Sequence, residues 1–126
     1  MNLKILLFIA MGGALGAVMR FAVGSGVHQL LGRGFPYGTL VVNVAGSLLI
    51  GILYIVMLER MALEPHWRAL VITGFIGALT TFSTFSLETF QLIENGAMFK
   101  ATANVAANVI LCLLTCWAGI LIGRQL

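Results

Sequence analysis

The 126-residue chain is 60% hydrophobic and only 9% charged, with a mean hydropathy of +1.07. It has too few polar side chains to cover a soluble globule, and several apolar runs are long enough to cross a bilayer, so the composition excludes a soluble domain and implies an integral membrane protein in contact with lipid. The net charge of +3 comes from basic residues scattered singly, without an aromatic-interleaved patch, which excludes a nucleic-acid surface.

The first span is expected over residues 3–27. Lys4, an apolar run and the small residues Gly13, Ala14, Gly16 and Ala17 also fit a secretory signal. The pattern continues, however, as Gly12, Gly16, Arg20 and Gly24, a four-residue period that makes one narrow face, so the segment is read as a retained span. Arg20 lies late in it, where a charge is costly unless it is paired, hydrated or snorkelling to the interface; on an anion route it would concentrate anions at a pore mouth.

The second span is expected over residues 38–58, with Thr39, Asn43 and Ser47 recurring every four residues. The third runs from 69 to about 90 and the fourth over 101–123, where Asn104, Asn108, Cys112 and Cys116 form a second stripe. The connections are short, so neighbouring helices run antiparallel, no extramembrane domain fits, and residues 1–126 are read as a single four-span domain. Polar stripes must face protein or water. Each one alone reads as interhelical glue, worth about 0.6–2 kcal/mol per hydrogen bond.

The third span changes that balance. Gly77 to Ser86 reads G-A-L-T-T-F-S-T-F-S, and the hydroxyls of Thr80, Thr81, Ser83, Thr84 and Ser86, stepping round a helix at about 100° per residue, fit no single polar face. A break in the helix is expected here. Within a membrane such a break survives only where freed backbone groups are buried in protein or line a wet path, which makes the segment the first candidate for an ion site and the two stripes its companions. Glu88 lies late in the same span; it either snorkels or accepts hydrogen bonds from hydroxyls such as Thr39.

Other chemistry is thin. His28 and His66 lie near span ends without ligand-spaced partners and are read as interfacial or solvated, and two cysteines four apart in an apolar helix behave as small hydrophobes. No nucleophile–base set or phosphate-binding glycine loop is present, so no enzyme is expected. With both termini on one side, that side holds Lys4, Arg60, Arg68 and Arg124 against Arg33 and Lys100, with Arg20 buried or near the second edge. Asymmetry this weak is compatible with insertion both ways up.

Asn43 within G-T-L-V-V-N-V-A-G, the arginine of G-A-V-M-R, and G-A-L-T-T-F-S-T-F-S followed by Glu88-Thr89 resemble the CrcB/Fluc fluoride channel family. The resemblance covers the whole chain in length, span number and motif order. It implies an all-α, four-helix membrane fold with the third helix interrupted, assembled as an antiparallel dual-topology homodimer enclosing two passive fluoride pores in a bacterial inner membrane. It also implies a structural Na+ held at the dimer centre by backbone carbonyls, which by motif position fall on Gly77 and Thr80. Asn43 becomes the pore asparagine and Phe82 and Phe85 the paired pore phenylalanines.

The chemistry agrees with that assignment. Fluoride is tightly hydrated, so a pore must replace its water with dipoles without holding the ion too strongly. Asn43, Ser83, Thr84 and Ser86 supply neutral donors, and the electropositive ring edges of Phe82 and Phe85 suit an anion in a narrow passage. Two phenylalanines at this spacing, taken alone, would be ordinary packing. The chain departs from the family pattern at Ala78, where a second glycine is common, and in the fourth-span track of Asn104, Asn108 and Cys112, which is often hydroxyl-bearing. Two rival functions are a proton-coupled small multidrug exporter, which needs a carboxylate in the first span where this chain has Arg20, and a structural subunit of a membrane complex, which leaves the third span unexplained.

Overall fold

The computed structural model describes residues 2–61 and 63–126. All its regular structure is helical, in four helices long and apolar enough to cross a membrane: Leu3–Leu31, Tyr37–Arg60, Pro65–Glu94 and Met98–Gln125, called spans 1 to 4. Each outruns the apolar stretch expected from hydropathy by a few residues at one or both ends, because polar ends continue the helix beyond the hydrocarbon. The starts are set by local chemistry. Asn2 caps span 1 by accepting from the Lys4 N–H, and Pro65 opens span 3, where its missing N–H costs nothing. Gly32 ends span 1 at φ 81°, a left-handed conformation that suits glycine.

Span 2 lies along span 4, and span 1 lies along the first half of span 3. Both contacts depend on glycines. A Cβ on Gly51 would strike the Cys116 carbonyl and one on Gly119 the Leu48 carbonyl, so the backbones of spans 2 and 4 touch directly. Gly12 and Gly16 likewise accept the Leu70 and Phe75 carbonyls of span 3. The Gly12-x-x-x-Gly16 face is therefore used inside the chain and offers no surface for a second copy.

Two stretches have widened, π-helical turns: Tyr54–Arg60 at the end of span 2 and Ala69–Ile76 in span 3. Between them, at the same end of the bundle, Phe8 packs edge-on against His66 and Trp67, with ring centroids 4.7 and 5.1 Å away. His66 is buried, not solvated, and its Nδ1 lies 3.2 Å from the Glu64 carboxylate. Aromatic packing by a residue distant in sequence overrides what its place near a span end suggests. Arg60 donates to the Arg124 carbonyl at this end, and at the other Lys100 donates to the Gly34 carbonyl at 3.0 Å, so each end of the bundle carries one cationic strap.

Candidate functional site

Span 3 changes conformation at its centre. Leu79 ends one helical segment and Phe82 begins the next; Thr80 (φ −87°, ψ 155°) and Thr81 (φ −151°, ψ 119°) between them are extended. Four interactions hold this geometry. The Thr80 hydroxyl donates to the Ile76 carbonyl at 3.1 Å, and the Thr81 hydroxyl oxygen caps the second segment by accepting from the Thr84 N–H at 3.2 Å. The Thr81 N–H, which would otherwise close a turn on the Gly77 carbonyl, donates to Asn43 Oδ1 at 2.8 Å. Asn43 Nδ2 in turn donates to the Thr81 carbonyl at 3.1 Å.

Asn43 is thereby committed. Its second amide N–H donates to Asn108 Oδ1 at 3.1 Å, so both donors expected on an ion route are spent inside the chain. From there a row continues: Asn108 Nδ2 to Asn104 Oδ1 at 3.0 Å, Asn104 Nδ2 to the Thr89 hydroxyl at 2.9 Å, and that hydroxyl to the Phe85 carbonyl at 2.8 Å. Asn104 is 1% exposed. Burying Asn104 and Asn108, with Asn43 half-buried beside them, is tolerable among apolar helices because each side-chain amide in the row has partners.

The remaining candidates divide among three cavities. The largest, about 460 Å³, gathers Asn43, Ser47, Thr80, Phe82, Phe85 and Asn108. Phe82 is 77% exposed and Phe85 only 7%, with ring centroids 5.3 Å apart, so one ring looks out of the chain and the other packs within it. A second cavity of about 400 Å³ holds Arg20, His28, Thr39, Thr81 and Thr84. A third, about 240 Å³, is walled by His28, Arg33, Glu88, Gln91 and Asn95. Thr81 borders the first two and His28 the last two.

Glu88 and Thr39 thus belong to different cavities, and no hydrogen bond joins them; Glu88 Oε1 is buried and has no partner among the described residues. Of the hydroxyls, Thr84 accepts from Thr81 at 3.1 Å and retains its own proton, Ser83 is exposed, and Ser86 gives its proton to the Phe82 carbonyl at 2.9 Å. Gly77 is exposed. Among the described residues no three His, Cys, Asp or Glu side chains gather to hold a metal.

Sequence reasoning missed Thr81 as the hub of the break and Thr89 as the end of the row. Their signal was the spacing Thr81, Phe85, Thr89, one face of a helix at four-residue steps. It also missed Gly46, whose absent Cβ makes room for the Thr80 methyl.

A family profile described as "CrcB-like protein, Camphor Resistance (CrcB)" matches residues 7–120. The chain belongs to the CrcB-like family. Within that family it is 52% identical over 126 residues to a Methylococcus capsulatus protein named "Fluoride-specific ion channel FluC", covering the whole of this chain but only 55% of the relative. Proteins of the same name from Coxiella burnetii (50% identical over 121 residues) and Geobacter sulfurreducens (49% over 121) are covered to 98% of their length, with 95% and 96% of this chain matched. The CrcB-like chain thus spans about half of one relative and nearly all of the others, and it is a multi-pass membrane protein.

Proposed function

We propose that this CrcB-like chain is a passive fluoride channel of a bacterial inner membrane. The observation that carries the reading is the break at Thr80–Thr81, pinned by Asn43 and flanked by Phe82, Phe85 and Thr84, in a chain about half identical to relatives named for fluoride conduction. In this reading fluoride exchanges water for the free Thr84 proton, the exposed Ser83 hydroxyl and phenylalanine ring edges, while Arg20 raises anion concentration in its cavity. Asn43, Asn108 and Asn104 act one layer behind, fixing the backbone against which the ion moves.

Two pores between antiparallel subunits follow from the same reading. Phe82 extends outward beside a buried Phe85, which suits a ring completing its passage against a second copy. The Gly77 carbonyl, relieved of the Thr81 N–H, and the Thr80 carbonyl are two oxygen ligands, and a two-fold axis would double them. They would hold a structural Na+, which supplies positive charge to lock the two breaks together.

Purified protein in liposomes loaded with fluoride is the test: rapid fluoride efflux with chloride retained is the expected result. Efflux that requires a proton gradient would return the exporter reading, and no efflux would leave a structural subunit.

A further inference from the structure

His28 sits where two of the three cavities meet. It borders the one holding Arg20, Thr39, Thr81 and Thr84 and the one holding Arg33, Glu88, Gln91 and Asn95, and so is a lining residue common to both. The ring is fixed rather than loose. Nδ1 lies 3.2 Å from the Gly32 carbonyl, and a Cβ built on Gly38 would stand 2.9 Å from Nε2, so the ring is held between the end of span 1 and the start of span 2.

The Gly32 carbonyl decides the tautomer. A carbonyl only accepts, so this bond requires a proton on Nδ1, and in the neutral ring Nε2 must then carry its lone pair. A small anion meeting that lone pair is repelled. A proton taken from water onto Nε2 reverses this, converting an acceptor into a charged donor. The charged groups facing His28 are Arg20 from its own span, Arg33 from the following loop and Glu88 from span 3. Span 2 contributes only the uncharged Gly38, Thr39 and Val42 here, and Lys100 of span 4 is held at the Gly34 carbonyl.

We propose that His28 is a protonation-dependent gate joining the two cavities into one anion route, passing a small anion when both ring nitrogens carry protons. The proposal rests on the channel reading above. It extends the route from the break to the end of the bundle marked by Gln91 and Asn95, and makes flux rise as pH falls.

The test is fluoride efflux from liposomes containing the full chain at about pH 8 and about pH 5, bracketing imidazole titration, with protein-free vesicles giving the background of undissociated acid. The unmodified protein should conduct roughly threefold or more faster at the lower pH, and His28→Gln, which cannot titrate, should show a ratio within about 1.5-fold of unity. His28→Lys, permanently charged, should be flat as well and serves if the Gln variant does not incorporate. An unchanged ratio in either variant, or no pH dependence in the unmodified protein, overturns the gate while leaving the channel intact. No fluoride flux from the unmodified protein at either pH overturns both readings.

Discussion

The side chain of Asn43 and the peptide of Thr81 face each other as a reciprocal pair, Thr81 N–H to Oδ1 at 2.8 Å and Nδ2 to the Thr81 carbonyl at 3.1 Å. One carboxamide thus replaces the Gly77 carbonyl that a continuous helix would have offered the Thr81 N–H, and brings a further donor to the Thr81 carbonyl, the first acceptor of the segment that begins at Phe82. Because a backbone N–H can only donate and a carbonyl only accept, the orientation of the amide is fixed by its neighbours.

Asn43→Asp should be severe for that reason. The carboxylate still accepts from the Thr81 N–H but turns an acceptor on the Thr81 carbonyl and strips Asn108 Oδ1 of its donor, costing about 1–3 kcal/mol for that unsatisfied group, more with the charge. Thermal unfolding in detergent should show the loss, and fluoride efflux should collapse. Native stability together with native flux would remove Asn43 from the break.

Phe82 and Phe85 should separate by readout. Phe82→Ile, at a 77% exposed position, should leave chain stability within about 0.5 kcal/mol, whereas Phe85→Ile at 7% exposure should cost about 1–3 kcal/mol. Both should strongly reduce fluoride efflux if both rings border the ion. Undiminished flux in each would return them to packing.

Gly46→Ala is expected to disturb the break from span 2. The new methyl collides with Thr80 Cγ2, an overpacking cost of about 1–3 kcal/mol that must be relieved by shifting Thr80. Adding Thr80→Ser removes the obstructing methyl and should restore stability and flux together. A double variant no better than the single would mean that the collision is not the cause.

The asparagine row should behave as a coupled unit. Asn104→Leu withdraws the donor to Thr89 and the side-chain acceptor of Asn108, and should cost about 1–3 kcal/mol. In a double-mutant cycle, Asn104→Leu and Asn108→Leu should show a coupling of about 0.5–3 kcal/mol. Additive losses would make the row a set of separate bonds.

The four spans were legible because hydropathy and length are properties of contiguous sequence, and the break because five hydroxyls in seven residues, Thr80 to Ser86, cannot share a helical face. The stripe of Asn104 and Asn108 was legible as a stripe. Its partners were not: Asn43 meets Thr81, and Asn104 meets Thr89, through a packing that periodicity on one helix does not encode. The same holds for Phe8 and His66, and for Gly12 and Gly16, whose spacing announces a close approach without saying to which backbone. His28 looked like an ordinary span-end residue because a cavity walled by residues far apart in the chain leaves no mark in local sequence.

The row from Asn43 to Phe85 also has a direction. Each link donates toward the next, and the sense is set at the two ends by peptide groups, the Thr81 N–H at the start and the Phe85 carbonyl at the finish. No single amide can turn over without leaving two neighbours mismatched. Carboxamides also neither give up nor take on protons in ordinary titration, so three of them in series interrupt any hopping relay between the break and Thr89. A membrane protein with a hydrated interior risks short-circuiting the proton-motive force; here the buried polar core is wired to polarise, yet it insulates against H+.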